Sequence, residues 1–478
     1  MKRIYKSVLL GIWMGMTGCL TANAWYENAF DPSIYERISD MDIPLVVINT
    51  VDGEEPTCDV VSPPEGAWGS GIANATKVPA GMQIILHGDT LYDSGDYVKK
   101  ESGLTVKIRG NSSGKKAKKP YKLKLQKKAD LLLRGDKKYK DKDWVLLRTG
   151  GSLITPIGYW TSELIGQEWT PSYQIVNLWM NGQYRGLYIL CEPVTVNPDC
   201  RIVVDEKEGY VVEADSYWWT EDIYFPSTLT APQLKFTYKY PDPEDITDEW
   251  HEAVSSDVLA NEAKIAAGEF SDAYDCESFA KWLLGWELLG NGDTAGANMY
   301  IVKKDASSKI AMGPMWDFDQ AMHTSDDWIG AHYRYFYFHH MLNSSDDSFR
   351  NAFLEVWKEK GHMVTENLIQ RINDFADSSL GRDYQRSLDI QTEANVPYDA
   401  WQPYVGDLEF MRSFTTDFLA KRAEWIDAHI DEVSGVETVD DETPAGRSTM
   451  GYDVLGRPVG PDVPGIQIRN GKKVFVKP

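Results

Sequence analysis

The sequence predicts an α+β protein made of two unlike parts, a β-rich N-terminal part and a mainly helical C-terminal one. Three observations predict it. Short apolar or period-two runs bounded by turn residues dominate the chain up to Glu213. Helical periodicity takes over from Asp248. A small hairpin pattern, Met299–Lys303 with Ile310–Met315, then interrupts the helices.

Taken in order, Pro44-Leu45-Val46-Val47-Ile48, Met82–His87 and Leu104–Ile108 read as short strands. Arg109-Gly110-Asn111-Ser112-Ser113-Gly114 is a loop. Lys115–Lys128 holds eight Lys, and Tyr121, Leu123 and Leu125 alternate with Lys122 and Lys124, so this strand has one apolar and one basic face. Leu153–Gly166 reads as a helix. Ile175–Met180 and Leu187–Leu190 flank Asn181-Gly182, a pair that favours the type I′ hairpin turn. Gly209–Glu213 is a further strand. Asp248–Ala267 and Asp275–Leu289 are helical, as is most of the chain from Phe349 to His429.

The ends differ in character. Lys2, Arg3 and Lys6 precede the apolar run Val8–Leu20, which is too short to span a bilayer and reads as a signal peptide over residues 1–24. Ala22-Asn23-Ala24 is a cleavage pattern. Thr17-Gly18-Cys19 is a competing lipoprotein pattern in which Cys19 would carry the membrane anchor. Either implies export, to the periplasm, the outer-membrane surface or the medium. The main domain runs over 25–430, with a β-rich lobe at about 44–192 and a helical lobe at about 193–430. Asp431–Thr449 is an acidic linker. Residues 450–478 form a β-patterned tail around Asn470-Gly471. Its Tyr452-Asp453-Val454-Leu455-Gly456-Arg457-Pro458-Val459 stretch resembles a type IX secretion sorting signal.

Composition narrows the function. The 478 residues carry 49 Lys plus Arg against 72 Asp plus Glu, a net charge of −23, which argues against a general nucleic-acid binder. A hydrophobic fraction of 42% excludes a disordered chain. Cys58, Cys191, Cys200 and Cys276 remain beyond the leader, and the turn at Asn197-Pro198-Asp199 makes a Cys191–Cys200 staple plausible, with four free thiols as the alternative. No C-x-x-C pair points to zinc.

Three segments carry chemistry together. Asn291-Gly292-Asp293 is followed by Asn298, five positions after the Asp. Trp316-Asp317-Phe318-Asp319 follows the small hairpin, and the basic strand precedes both. Protein kinases place a base Asp and a metal-binding Asn at D-x-x-x-x-N, then run a hairpin into Asp-Phe-Gly, whose Asp binds Mg²⁺. Phosphoryl transfer needs a carboxylate near the acceptor hydroxyl, hard oxygen ligands for Mg²⁺ and cations on the phosphates. By that spacing Asn298 is the second metal ligand. Rival readings are weaker. Asp317 and Asp319 as a glycosidase pair would lie on one face of a strand, not opposed across a sugar. Gly110-Asn111-Ser112-Ser113-Gly114 fits G-x-S-x-G but leads into a strand rather than the helix a nucleophile elbow needs. His323, His332, His339 and His340 match no zinc spacing. The Lys-rich strand alone reads as a solvated edge strand, and Trp316 as core.

Arg109–Ser113, Lys118-Lys119-Pro120-Tyr121-Lys122-Leu123-Lys124, Asp143-Trp144-Val145-Leu146-Leu147, Asn181–Tyr188, Gly209–Glu213, Asn291-Gly292-Asp293 and Gly313–Asp319 together resemble the CotH (spore-coat protein H) kinase family, from about residue 44 to 330. The resemblance implies an atypical protein-kinase-like two-lobed fold. It implies transfer of the ATP γ-phosphate, with Mg²⁺, to Ser or Thr of a protein partner. Asp293 is then the catalytic Asp, and Asp317 binds Mg²⁺ with Asp319 beside it. Lys119 or Lys122, the latter preferred for lying inside the strand, holds the phosphates with Arg109. Glu192 lies near the nucleotide hinge, and Glu163 is the partner of the phosphate-binding Lys. Gly150-Gly151-Ser152-Leu153-Ile154-Thr155-Pro156 departs from the family, which usually shows an Asp and then an Arg in this stretch. The alternative, from a different class, is a catalytically silent binding or surface-assembly module, such as a glycan-associated one. The scarcity of ATP outside the cytoplasm speaks for it.

Overall fold

The computed structural model describes residues 29–433 except 68, 233, 293–297, 324, 331–335 and 399–404, together with residues 451–453, 458–459, 465–469 and 472–476 of the tail. Residues 1–434 form one compact unit and 435–478 a second. In the first unit the elements are α1 (Pro32–Ser39), β1 (Leu45–Thr50), β2 (Asp59–Val61), β3 (Gly71–Ala73), β4 (Val78–Leu86), β5 (Asp89–Asp93), β6 (Leu104–Ile108), β7 (Tyr121–Ala129), β8 (Asp141–Arg148), α2 (Ile154–Ile165), β9 (Tyr173–Met180), β10 (Gln183–Cys191), β11 (Tyr210–Asp215), β12 (Tyr224–Pro226), β13 (Lys235–Tyr240), α3 (Asp248–Ala267), α4 (Cys276–Leu288), β14 (Met299–Lys303), β15 (Ala311–Met312), α5 (Tyr337–Leu342), α6 (Ser348–Asp377), α7 (Ser379–Glu393) and α8 (Leu408–Val433).

The mixed α+β content agrees with the sequence. The N-terminal part, however, is a closed barrel rather than the open β-rich lobe of a two-lobed kinase fold. Its strands run β1-β9-β10-β8-β7-β6-β4, and β4 returns to pair with β1. The β1–β9 pair is parallel, with Leu45 opposite Asn177, and the rest are antiparallel. Closure removes the free edges an open sheet would expose. Alternation then sorts the side chains. Val46, Leu104, Val106, Leu123, Leu125, Trp144, Leu146 and Leu178 fill the barrel. Leu45, Val47, Val145, Leu187, Ile189 and Cys191 point outward and join the main core formed with the helices.

A second sheet, β12-β13-β11-β14-β15, lies in the C-terminal part. Tyr210, Val212 and Ala214 of β11 face the main core, and the alternate Glu213 and Asp215 face away from it. The helices are capped by their sequence. Ser278 N–H donates to the Asp275 carboxylate at the start of α4 (3.0 Å), and Gly166 ends α2 in a left-handed conformation at φ 84°. The long α6 packs on α2, α4 and α8. At the heart of this helical layer Arg422 and Glu287, both fully buried, form an ion pair at 2.9 Å. All four cysteines of the described chain are free thiols, so Cys191 and Cys200 are not stapled. Among the described residues no helix is long and apolar enough to cross a membrane. The tail is a four-stranded antiparallel sheet, and its strands at Gly465–Arg469 and Lys472–Val476 pair across the two positions of Asn470-Gly471.

Candidate functional site

The site is assembled by the segment that follows β15. Met315, Trp316 and Phe318 are buried, and Asp317 between them is exposed. This is a loop and not the strand that the pairing of Asp317 with Asp319 suggested, so their side chains are not held on one face by strand alternation. Phe318 stacks on Trp286 of α4 (centroids 5.3 Å apart) and meets Tyr159 of α2 edge-on at 5.4 Å. Trp316 packs at 6.2 Å from Tyr159 and carries the Arg109 guanidinium 5.6 Å from its ring. The aromatic residues therefore anchor the segment, and Asp317 is left facing outward at φ +67°, a left-handed conformation that Asp tolerates better than most residues.

The Asn-Gly-Asp segment is joined to this one through its backbone. Gly292 N–H donates to Gln320 O (3.1 Å), Met322 N–H to Leu289 O (2.7 Å) and His323 N–H to Gly290 O (2.9 Å). Asp293 itself lies outside the described residues. Asn298 immediately precedes β14, at φ +64°, and its N–H donates to Glu213 Oε1 at 3.0 Å. Glu213 is buried and pairs with Lys239 at 2.7 Å. Glu213 and Lys239 received no role from sequence. The signal was present in Glu213, a carboxylate in an otherwise apolar strand, but its partner is fixed only by strand register, which places Glu213 opposite Tyr300 and Thr237.

Charges converge here. Burial pushes the Tyr159 and Tyr300 phenols well above their ordinary value; Asp317 raises both further, and Arg109 opposes it at both. Arg109 and Asp317 thus act on the same two phenols. Asp319 lies 3.9 Å from Arg148. Its side chain is 48% exposed, yet the protein atoms around it raise its carboxyl, against the pull of Arg148, a hydrogen bond with Gln320 and the charge of Lys116.

The lysines follow from barrel register. Lys107, Lys122, Val145, Cys191 and Tyr173 form one outward row across β6, β7, β8, β10 and β9. Cys191 Sγ lies 3.8 Å from Tyr159 OH, so this row leads from Lys122 to the ring that packs on Phe318. Burial and the neighbouring Lys77 and Lys122 lower the Lys107 ammonium. Lys119 donates to Gly114 O (2.9 Å) and thereby ties down the Arg109–Gly114 loop.

Two sequence assignments are redirected. The carboxylate beside Lys122 is that of Asp143, at 3.6 Å, while Glu163 pairs with Arg371 of α6 at 2.8 Å. The ion pair of Glu163 is thus with α6, and that of Lys122 is with Asp143. Glu192 is fully buried and accepts from Arg134 (3.0 Å) and from Ser172 N–H (3.0 Å), with Arg201 at 3.9 Å. This network, which also flanks the Trp144 ring with Arg134 and Arg201, engages Glu192 internally rather than offering it to a ligand.

Mg²⁺ suits the oxygen donors present, the Asp317 carboxylate and the Asn298 amide. Among the described residues no group of three His, Cys, Asp or Glu side chains could hold a metal by itself. A Mg²⁺ held here would therefore draw its remaining ligands from a nucleotide's phosphates, from water or from Asp293, as is usual for this ion.

No curated protein matches the chain. The family model described as CotH kinase protein matches residues 106–425, about two thirds of the sequence, spanning β6 to α8 and every segment assembled above. The chain therefore belongs to the CotH kinase protein family.

Proposed function

We propose that this protein is an exported kinase that transfers the γ-phosphate of ATP to a Ser or Thr hydroxyl of a protein. The observation that carries the proposal is the backbone pairing of Gly290–Gly292 with Gln320–His323, which tethers the segment leading to Asp293 to the one bearing Asp317. In this reading Asp293 orients the acceptor hydroxyl and receives its proton. Asp317 and Asn298, with Asp319 beside them, hold Mg²⁺, which when bound neutralises the charge of the phosphates. Lys122 and Arg109 reach the phosphates, and Lys119 holds the loop that presents Arg109. The barrel with its basic outer row takes the place of the kinase N-lobe, and the helical layer that of the C-lobe. The leader-like N-terminus, with Cys19 as a lipid anchor or Ala24 as the cleavage point, and the sorting-like tail support export.

A silent binding module is the second reading, favoured by the uncharged stretch Gly150–Pro156, in which the family usually carries an Asp and then an Arg. Gly151 sits at φ +85° with the Tyr398 ring where a Cβ would be, so a larger residue does not fit without rearrangement. Incubation with γ-³²P-ATP, Mg²⁺ and mixed Ser/Thr-containing proteins separates the two. Incorporation of label supports the kinase. Absence of label together with absence of ATP binding leaves the binding module.

A further inference from the structure

The lysines of β7 need an explanation that edge protection does not provide. Over Tyr121–Lys124 strand β7 is paired on both sides, to β6 and to β8, so Lys122 and Lys124 guard no free edge. Residues 115–142 contain twelve Lys, one Arg and three Asp, a net of +10 in a chain whose total is −23. The acids within this stretch are largely engaged. Asp130 pairs with Arg134 at 3.0 Å and Asp141 with Arg201 at 3.4 Å. Lys124, Lys127, Lys128, Lys140 and Lys142 are exposed along the β7–β8 hairpin. A second element adds to them, because Lys100 N–H donates to Gln126 Oε1 at 2.7 Å and so brings the exposed Lys99 and Lys100 beside β7.

Like charges so concentrated repel one another and favour an anionic occupant. We infer that the outer surface of the β7–β8 hairpin docks an acidic, extended polypeptide segment of a partner protein. The size fits: nine strand residues span about 30 Å at about 3.3 Å each, enough for a peptide of similar length. The net charge of the rest of the chain argues for a short segment over an extended polyanion. A nucleic acid or an anionic bilayer would bring its charge against the acidic remainder, whereas a peptide within about a Debye length, ~8–10 Å, feels mainly the local lysines. Lys122, on the same face of β7, belongs to the proposed phosphate site; the docking surface is made by Lys124 and the lysines beyond it, and the inference stands whether or not transfer occurs.

The test is fluorescence anisotropy on the full-length protein, without nucleotide, using a labelled twelve-residue Asp/Glu-rich peptide. The expected result is saturable binding that weakens with salt. The triple variant Lys127→Glu, Lys128→Glu, Lys140→Glu should weaken it at least ~10-fold, a modest loss per reversed surface charge, while Lys358→Glu on α6 leaves it unchanged. Melting curves verify that both variants are folded. Absence of binding, or equal binding by the triple variant and Lys358→Glu, overturns the inference. Tighter binding to phosphatidylglycerol vesicles or to a twelve-nucleotide single strand than to the peptide also overturns it, by assigning the surface to a lipid or a nucleic acid.

Discussion

Phe318 lies directly against the backbone of Gly158: a Cβ placed at position 158 would fall 2.2 Å from the Phe318 ring. Helix α2 thus accepts the aromatic residue next to Asp317 because it has no side chain at the point of contact. Gly158→Ala should overpack this junction and cost about 1–3 kcal/mol. Urea denaturation would show it as a lower midpoint, and an unchanged midpoint would mean that the ring shifts freely and does not fix Asp317.

Arg422 braces the last turn of α4. Its Nε donates to Glu287 O (2.7 Å), one Nη to Asp327 O (2.7 Å) and the other to the Glu287 carboxylate (2.9 Å). Glu287 also accepts the Ile329 N–H at 3.0 Å. Arg422→Met would strand a buried carboxylate, at a cost of about 3–5 kcal/mol. Thermal unfolding should show a large drop in Tm, and Arg422→Met with Glu287→Gln should recover part of it. A single variant as stable as the parent would contradict the assignment.

Asp215 gives the stability a pH dependence. Burial, then the neighbouring Glu213, raises its carboxyl from 3.8 to about 7, against Lys239 and the Tyr217 N–H. The unfolded chain loses this proton near pH 4 and the folded chain near pH 7. Between those values the native state holds the extra proton, so this group's contribution to stability falls as pH rises and its full cost is present above pH 7. Asp215→Asn should therefore be more stable than the parent at pH 8, by up to a few kcal/mol, because each pH step between the two titrations is worth about 1.4 kcal/mol. The gap should close towards pH 4. Denaturation at both pH values tests this, and a gap that widens in acid would reverse the sign.

Asp293→Ala separates binding from transfer. In the proposed function the phosphates and Mg²⁺ have other holders, so ATP binding should persist while ³²P incorporation is lost. The loose transition state of phosphoryl transfer asks little of a base, so orientation of the hydroxyl is the larger part of the role. Retained turnover would move that role to another residue.

The local elements are legible in the sequence where periodicity and caps act. Asp248–Ala267 and Met299–Lys303 have the predicted bounds, and the Asn181-Gly182 turn joins β9 to β10. The barrel is not legible there. Closure depends on β1 pairing with β4 and, in parallel, with β9, and period-two alternation carries no information about which distant strand will be the neighbour. For the same reason Lys122 could be placed on a basic face, but not its neighbour: Asp143 follows from the β7–β8 register and Arg371, the partner of Glu163, from the packing of α6 on α2. Glu192 read as a ligand residue because its burial against Arg134 and Arg201 is a property of the assembled fold.

In the proposed function Asp317 is the central carboxylate, through which the protein holds Mg²⁺ on a nucleotide. The most direct measurement is the change in melting temperature produced by ATP with Mg²⁺ and by ATP with EDTA, in the parent protein and in Asp317→Ala. A ligand at a hundredfold excess over Kd stabilises the native state by about 2.7 kcal/mol. The parent should be stabilised to that extent, more with Mg²⁺ than with EDTA, and Asp317→Ala should show no difference between the two conditions. A Mg²⁺-dependent stabilisation that survives in Asp317→Ala, or none in the parent at all, would contradict this role.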